Sequence, residues 1–315
     1  MGAGGLADRG TNRPALTFQH PHARLGPSFE WAMVMPKTDA ASGARDALRN
    51  CAAQIASAKT AVLTTDDPEG PHQLRVGLRR LRAALWLYAT TIHGDAARSM
   101  AAEARWLARE VGHTRDLEMV AGLLAPRMKG PAGRGPLAGL TAAASVERAR
   151  LRAVLQEARA EALLVALTDV TEGKFSADAV PLTPLAADRL NCQWRKLRRA
   201  ARQLTRQGAN ERHKMRKRAK MLRYVLDLTD PLWPHDRTAK FHKRLARLQD
   251  GLGRLNDASV ARRVLEQLVA AGALAADAQD VLATAVDRLD HDAGKDLADL
   301  PGLWRKLERT PRPWR

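Results

Sequence analysis

Residues 72–88 read HQLRVGLRRLRAALWLY, and 141 positions later residues 213–226 read HKMRKRAKMLRYVL. Each segment sets a histidine ahead of basic residues at plus three, plus seven and plus ten: His72, Arg75, Arg79 and Arg82, then His213, Arg216, Lys220 and Arg223, with Lys217 beside the second series. Guanidinium forks hold phosphate oxygens bidentately and stay charged near neutral pH, and imidazole can add a hydrogen bond. At about 100° per residue each series keeps to one narrow helical face. The pattern is that of a rail for an anion, and it implies no catalytic residue.

An apolar stripe runs beside each rail, Leu74, Leu78, Leu81 and Leu85 in the first and Met215, Ala219, Leu222 and Leu226 in the second. It would anchor the helix and leave the cations facing outward. Solvated helix faces usually interleave acids at three- or four-residue spacing, because like charges oppose one another. Residues 71–89 contain no acid, and from Arg189 to Arg223 there are 14 Lys or Arg against Glu211 alone. The preceding helix adds Arg195, Lys196, Arg199, Arg202 and Arg206, of which all but Lys196 share one face, so two helices could wall a groove.

The offset of 141 also aligns Asn50-Cys51 with Asn191-Cys192, Leu107 with Leu248, Gly112 with Gly253, and Asp116 with Asp257. One register across loops as well as helices implies an internal duplication, and so a pair of similar helical bundles. Residues 1–38 lack periodicity and read as a disordered tail, 39–170 as the first bundle, 171–184 as a linker with two prolines, and 185–315 as the second bundle. Breaks are expected at Pro68 to Pro71, at Gly112, in the 129–136 segment KGPAGRGP, at Gly208, at Pro231 to Pro234, and at Gly251 to Gly253. A single long helix is expected from Leu137 to Thr168.

Composition agrees with an all-α protein. Ala, Leu and Arg dominate and aromatic residues make up 4%. With 52 Lys plus Arg against 34 Asp plus Glu, the net charge of +18 points to a polyanionic partner. Two cysteines, Cys51 and Cys192, suit a reducing compartment such as the cytoplasm and read as small buried hydrophobes. There is no run of 18 apolar residues to span a membrane, and no H-E-x-x-H or C-x-x-C spacing to hold a metal. No cofactor is implied. Asp116 and Asp257 follow helix-breaking glycines, so the expected role is to complement a helix dipole, with bracing of a rail arginine as the alternative. Trp86, Trp106, Trp194, Trp233 and Trp304 are expected in bundle packing. Each rail histidine has two readings, contact with an anion or capping of its own helix.

The duplicated His-x-x-Arg-x-x-x-[Arg/Lys]-x-x-Arg, together with LAREVGHTRD at 107–116 and LQDGLGRLND at 248–257, resembles the CHAD family, over roughly residues 39–310. That resemblance implies two similar four-helix bundles about a pseudo-twofold axis, with the basic helices facing a central channel that binds inorganic polyphosphate. It also implies a binding module and not an enzyme. Some relatives carry an E-x-E-x-K strand of a hydrolase, which this chain lacks. Val76-Gly77 stands where the second copy has Lys217-Arg218, which lowers the charge of the first half. Association with polyphosphate or other storage granules is the expected role. The rival readings are a general nucleic-acid binder, drawn by charge alone, and a histidine phosphotransfer bundle. The oligomeric state is not encoded in any of these signals.

Overall fold

The computed structural model describes residues 39–92, 94–173, 175, 180–202, 204 and 208–315; the 1–38 segment and Arg206 lie outside the described residues. Nine α-helices and two short 3-10 turns make up the described part, with no strand beyond an isolated bridge from Asp39 to Pro181. In order they are α1 (Ala40–Thr64), α2 (Glu69–Leu87), α3 (Gly94–Leu124), α4 (Pro131–Gln156), α5 (Ala158–Glu172), α6 (Leu182–Ala201), α7 (Ala209–Leu228), α8 (His235–Ala270) and α9 (Ala276–Glu308). The fold is all-α, as composition and periodicity lead one to expect. None of these helices is long and apolar enough to cross a membrane.

Local chemistry sets many of the ends. Asp39 caps α1, its carboxylate accepting from the Ser42 amide at 2.8 Å, which holds its pKa below the usual value. Asp67 accepts from the Glu69 amide at 2.8 Å and so starts α2. Pro231 and Pro234 close the turn after α7, where the Trp233 indole donates to the Thr229 hydroxyl at 3.0 Å.

Three expectations are corrected. Gly112 and the Gly251–Gly253 pair do not break helices; α3 and α8 run straight through them. Helix glycine costs about 1 kcal/mol against alanine, and here it admits close neighbours. A Cβ on Gly112 would lie 3.5 Å from an Arg75 Nη1, and one on Gly251 would lie 3.1 Å from a Leu300 methyl. The KGPAGRGP stretch is mostly helix, because Pro131 takes the first position of α4, where its missing N–H is not needed. The long helix after it is two helices, α4 and α5, divided at Glu157, whose ψ of 145° is extended. No proline or glycine marks that division.

Residues at the 141 offset stand on helices in the same order: α1 and α6, α2 and α7, α3 and α8. Buried side chains gather in two clusters, and each draws on both halves of the chain. The larger one joins Leu48, Leu74, Leu78, Leu81, Leu222, Leu226, Phe241 and Trp304. The smaller one joins Leu117 and Leu124 of α3 to Leu140 of α4, Val264 of α8, and Leu282 and Val286 of α9. Each buried leucine contributes roughly 1.5–3 kcal/mol. Trp194 and Trp304 stack at 5.5 Å within the larger cluster, while Trp86, Trp106 and Trp233 pack against its edge. Cys51 is buried, which pushes its thiol up to about 12 and suits a small hydrophobe, not a nucleophile.

Candidate functional site

The apolar stripes of α2 and α7 are all buried, Leu74, Leu78, Leu81 and Leu85 on one and Met215, Ala219, Leu222 and Leu226 on the other. Burying those stripes turns the basic faces of both helices toward their mutual contact, since α2 packs on α7. There the two copies meet. Lys220 of α7 lies within electrostatic reach of Arg216 and of Arg75 and Arg79 from α2, and also of Asp257. Burial first, then those three guanidinium groups, push its amine well below the ordinary lysine value. Arg75 and Arg216 are also lowered, chiefly by burial, and Tyr224 faces both.

Two dipeptides on the long helices brace this cluster. On α3, the Arg115 Nε–H donates to His72 Nδ1 at 3.3 Å, and Asp116 accepts from Arg75 Nη1 at 3.0 Å. On α8, Asn256 Oδ1 lies 2.8 Å from His213 Nδ1, and Asp257 stands 3.9 Å from Arg216. In both copies the first member of the pair meets the histidine and the second faces the arginine. Asp116 also accepts from Arg263 of α8 at 2.8 Å, tying α3 to α8. Asp116 and Asp257 therefore sit in mid-helix and brace rail arginines; they are not in a first turn, because α3 and α8 do not stop at the glycines before them.

His72, accepting a hydrogen bond at Nδ1, is neutral. Burial pushes it down to about 4, helped by Arg115, Lys220 and Arg79 and opposed by Glu69. His213 is lowered too, by burial and by Lys217, Arg216 and Arg263, against the raising effect of its bond to Asn256. The Arg216 Nε is buried with no hydrogen-bond partner among the described residues. Buried polar groups are seldom left so, and an oxyanion would satisfy it.

The sequence-derived residues do not all converge. His72, Arg75, Arg79, Arg216 and Lys220 lie together, with His213 and exposed Lys217 beside Arg216. Arg82 faces Arg105 on α3. Arg223 is engaged by Gln249 at 3.2 Å and Asp227 at 3.8 Å, and Gln249 in turn donates to the Ala219 carbonyl. Arg195, Arg199 and Arg202 are exposed, on the side of α6 away from buried Leu190, Leu197 and Ala201. That placement sets them apart from the α2–α7 cluster. Arg115, Asn256, Gln249 and Arg263 were not anticipated. Only the aligned Arg115-Asp116 and Asn256-Asp257 pairs carried a signal of them.

The described residues include no group of His, Cys, Asp and Glu side chains placed to hold a metal ion. The cluster is therefore a concentration of fixed cations with few acids, suited to holding phosphate oxygens.

A family model described as the CHAD domain matches residues 46–266. The structure is similar to the crystal structure of the CHAD domain from the plant Ricinus communis, at 25% identity and a TM-score of 0.75, covering 88% of this chain and 94% of that one. It is also similar in fold to PptA from Streptomyces chartreusis, at 16% identity and a TM-score of 0.60, covering 85% and 100%. No curated protein matches. The matched segment takes in both rails and both bracing dipeptides, and on it the chain belongs to the CHAD domain family.

Proposed function

We propose that the α2–α7 cluster binds inorganic polyphosphate without catalysing its turnover. Polyphosphate binding is the association of the CHAD family, and one observation in this chain carries the reading. The contact of α2 with α7 gathers His72, Arg75, Arg79, Arg216 and Lys220 while leaving the Arg216 Nε unpartnered and the Lys220 amine buried beside three like charges. A chain of phosphates relieves both conditions at once. Internal duplication gives the reason for two rails, and a basic channel between them is the form the site would take around its ligand.

Titration calorimetry with polyphosphate of several chain lengths tests this. Saturable binding is expected, and raising monovalent salt threefold should weaken it on the order of 50-fold if about five phosphates are neutralised. Two results overturn the reading: displacement of a long polyphosphate by duplex DNA at equal phosphate concentration, which favours a general nucleic-acid binder, or a stable phosphohistidine formed from a phosphodonor, which favours phosphotransfer. We further place the protein in the cytoplasm on polyphosphate granules. Co-localisation with a polyphosphate stain is expected, and loss of it in a binding-defective variant separates ligand-driven targeting from mere surface charge.

A further inference from the structure

A second cationic site lies away from the α2–α7 cluster, at the junction of α6 with the C-terminal segment. Arg195, Arg198, Arg312 and Arg315 line a cavity of about 280 Å3 with Asp188, Asn191 and Trp194. We infer that this cavity is a separate binding site for a short phosphate chain, such as diphosphate or triphosphate.

The segment carrying two of the arginines is held firmly. The Trp314 indole donates to Asn191 Oδ1 at 3.1 Å and its ring meets Phe241 edge-on at 5.1 Å. Arg312 lies over the Trp194 ring at 5.9 Å, and Trp194 is stacked on Trp304. The Arg312 guanidinium is thus positioned by a buried aromatic ring before any ligand arrives, which lowers the ordering cost of binding at that side chain.

Four arginines face one acidic side chain, Asp188, and none of the four side chains makes an ion pair among the described residues. Other surface arginines do pair, Arg127 with Asp292, Arg152 with Asp66, Arg159 with Glu103, and Arg262 with Asp287. Burial, and then the nearby Arg315 and Arg198, lower the pKa of Arg312. The volume falls just under the roughly 300 Å3 at which pockets begin to enclose drug-sized molecules, so a compact anion fits the space. Arginine forks suit its terminal phosphate oxygens.

The test uses tripolyphosphate and the full chain. In a variant with Arg216→Ala, which weakens the α2–α7 cluster, tripolyphosphate binding should persist. Adding Arg198→Glu and Arg315→Glu should reduce it more than tenfold, with the thermal unfolding midpoint reporting that the fold is intact; both side chains are exposed and are not used in packing. Unchanged tripolyphosphate affinity on charge reversal overturns the inference, as does the absence of any binding in the Arg216→Ala protein. The Arg198→Glu/Arg315→Glu protein with Arg216 intact separates the two sites. Its retention of long-chain polyphosphate supports the α2–α7 reading whatever becomes of the second site.

Discussion

On α2, Arg75 donates to Asp116 at 3.0 Å and to the Gly112 carbonyl at 3.4 Å, while His72 accepts from charged Arg115. On α7, the equivalent Arg216 stands 3.9 Å from Asp257 with its Nε unpartnered, and His213 meets the neutral Asn256. The neighbouring positions diverge in the same sense. Gly77 lets α2 approach α1 so closely that a Cβ would lie 2.9 Å from an Ile55 methylene, whereas the equivalents at the 141 offset, Arg218 and Lys196, are exposed. One copy of the motif is absorbed by the protein and holds the scaffold together. The other is braced more loosely, Arg216 standing 3.9 Å from its carboxylate where Arg75 is bonded at 3.0 Å. In the proposed polyphosphate site, the repeated motif would therefore supply one tightly braced wall and one loosely braced wall, which two identical copies would not.

The largest expected effect addresses that inequality directly. Replacing Arg216 and Lys220 with alanine should weaken polyphosphate binding about a hundredfold, and replacing Arg75 and Arg79 only about tenfold, since charge-assisted hydrogen bonds contribute roughly 1.5–3 kcal/mol each and Arg75 is already engaged by Asp116 and the Gly112 carbonyl. Calorimetry in which the α2 pair matters more would break the comparison.

Stability should show the reverse order. Arg75→Ala is expected to cost about 1–3 kcal/mol in urea unfolding, because it removes the bonds to Asp116 and Gly112, and Arg216→Ala less than about 1 kcal/mol. Gly77→Ala should cost about 1–3 kcal/mol through the clash with Ile55, while Arg218→Ala stays within about 0.5 kcal/mol. Equal losses at the paired positions would mean that both copies are structural.

Proton linkage gives a smaller effect. Both histidines are held below their ordinary value, His72 at about 4, so both are neutral near pH 7 in the free protein. A bound polyanion favours the charged forms, so binding takes up protons and affinity should rise several-fold from pH 8 to pH 6. His213→Gln should flatten that slope more than His72→Gln, because Arg115 opposes a proton on His72; equal slopes would count against unequal walls. Without ligand the sign runs the other way for the fold. The unfolded chain protonates His72 near its ordinary value of about 6.5 and the folded one only near 4, so stability is full above that ordinary value and falls as pH drops from there toward 4. Unfolding midpoints across that range would show it.

The rails were legible because a histidine and three cations at helical spacing, repeated with one offset, need no tertiary information to be seen. So were the buried stripes, every one of whose eight positions is in the core. Gly112 was misread because a glycine in a helical run either ends the helix or admits a neighbour, and the neighbour here, Arg75, is distant in sequence. The misplacement of Asp116 and Asp257 follows from that. Periodicity gives Arg195 and Arg199 a common face on α6 but says nothing of where that face points; Leu190 and Leu197 on the far side of α6 settle it, while Arg206 lies outside the described residues. Arg115 could not have been matched to His72 from sequence, since that bond depends on how α3 crosses α2.

The helices α3 and α8, 31 and 36 residues long, pass unbroken from one hydrophobic cluster into the other, with the bracing dipeptides in the stretch between. Neither cluster can melt without fraying a helix that the other needs. The molecule should therefore unfold as one cooperative unit, with a single calorimetric transition despite its two cores and duplicated sequence. Two separated transitions would show that the long helices do not couple the clusters.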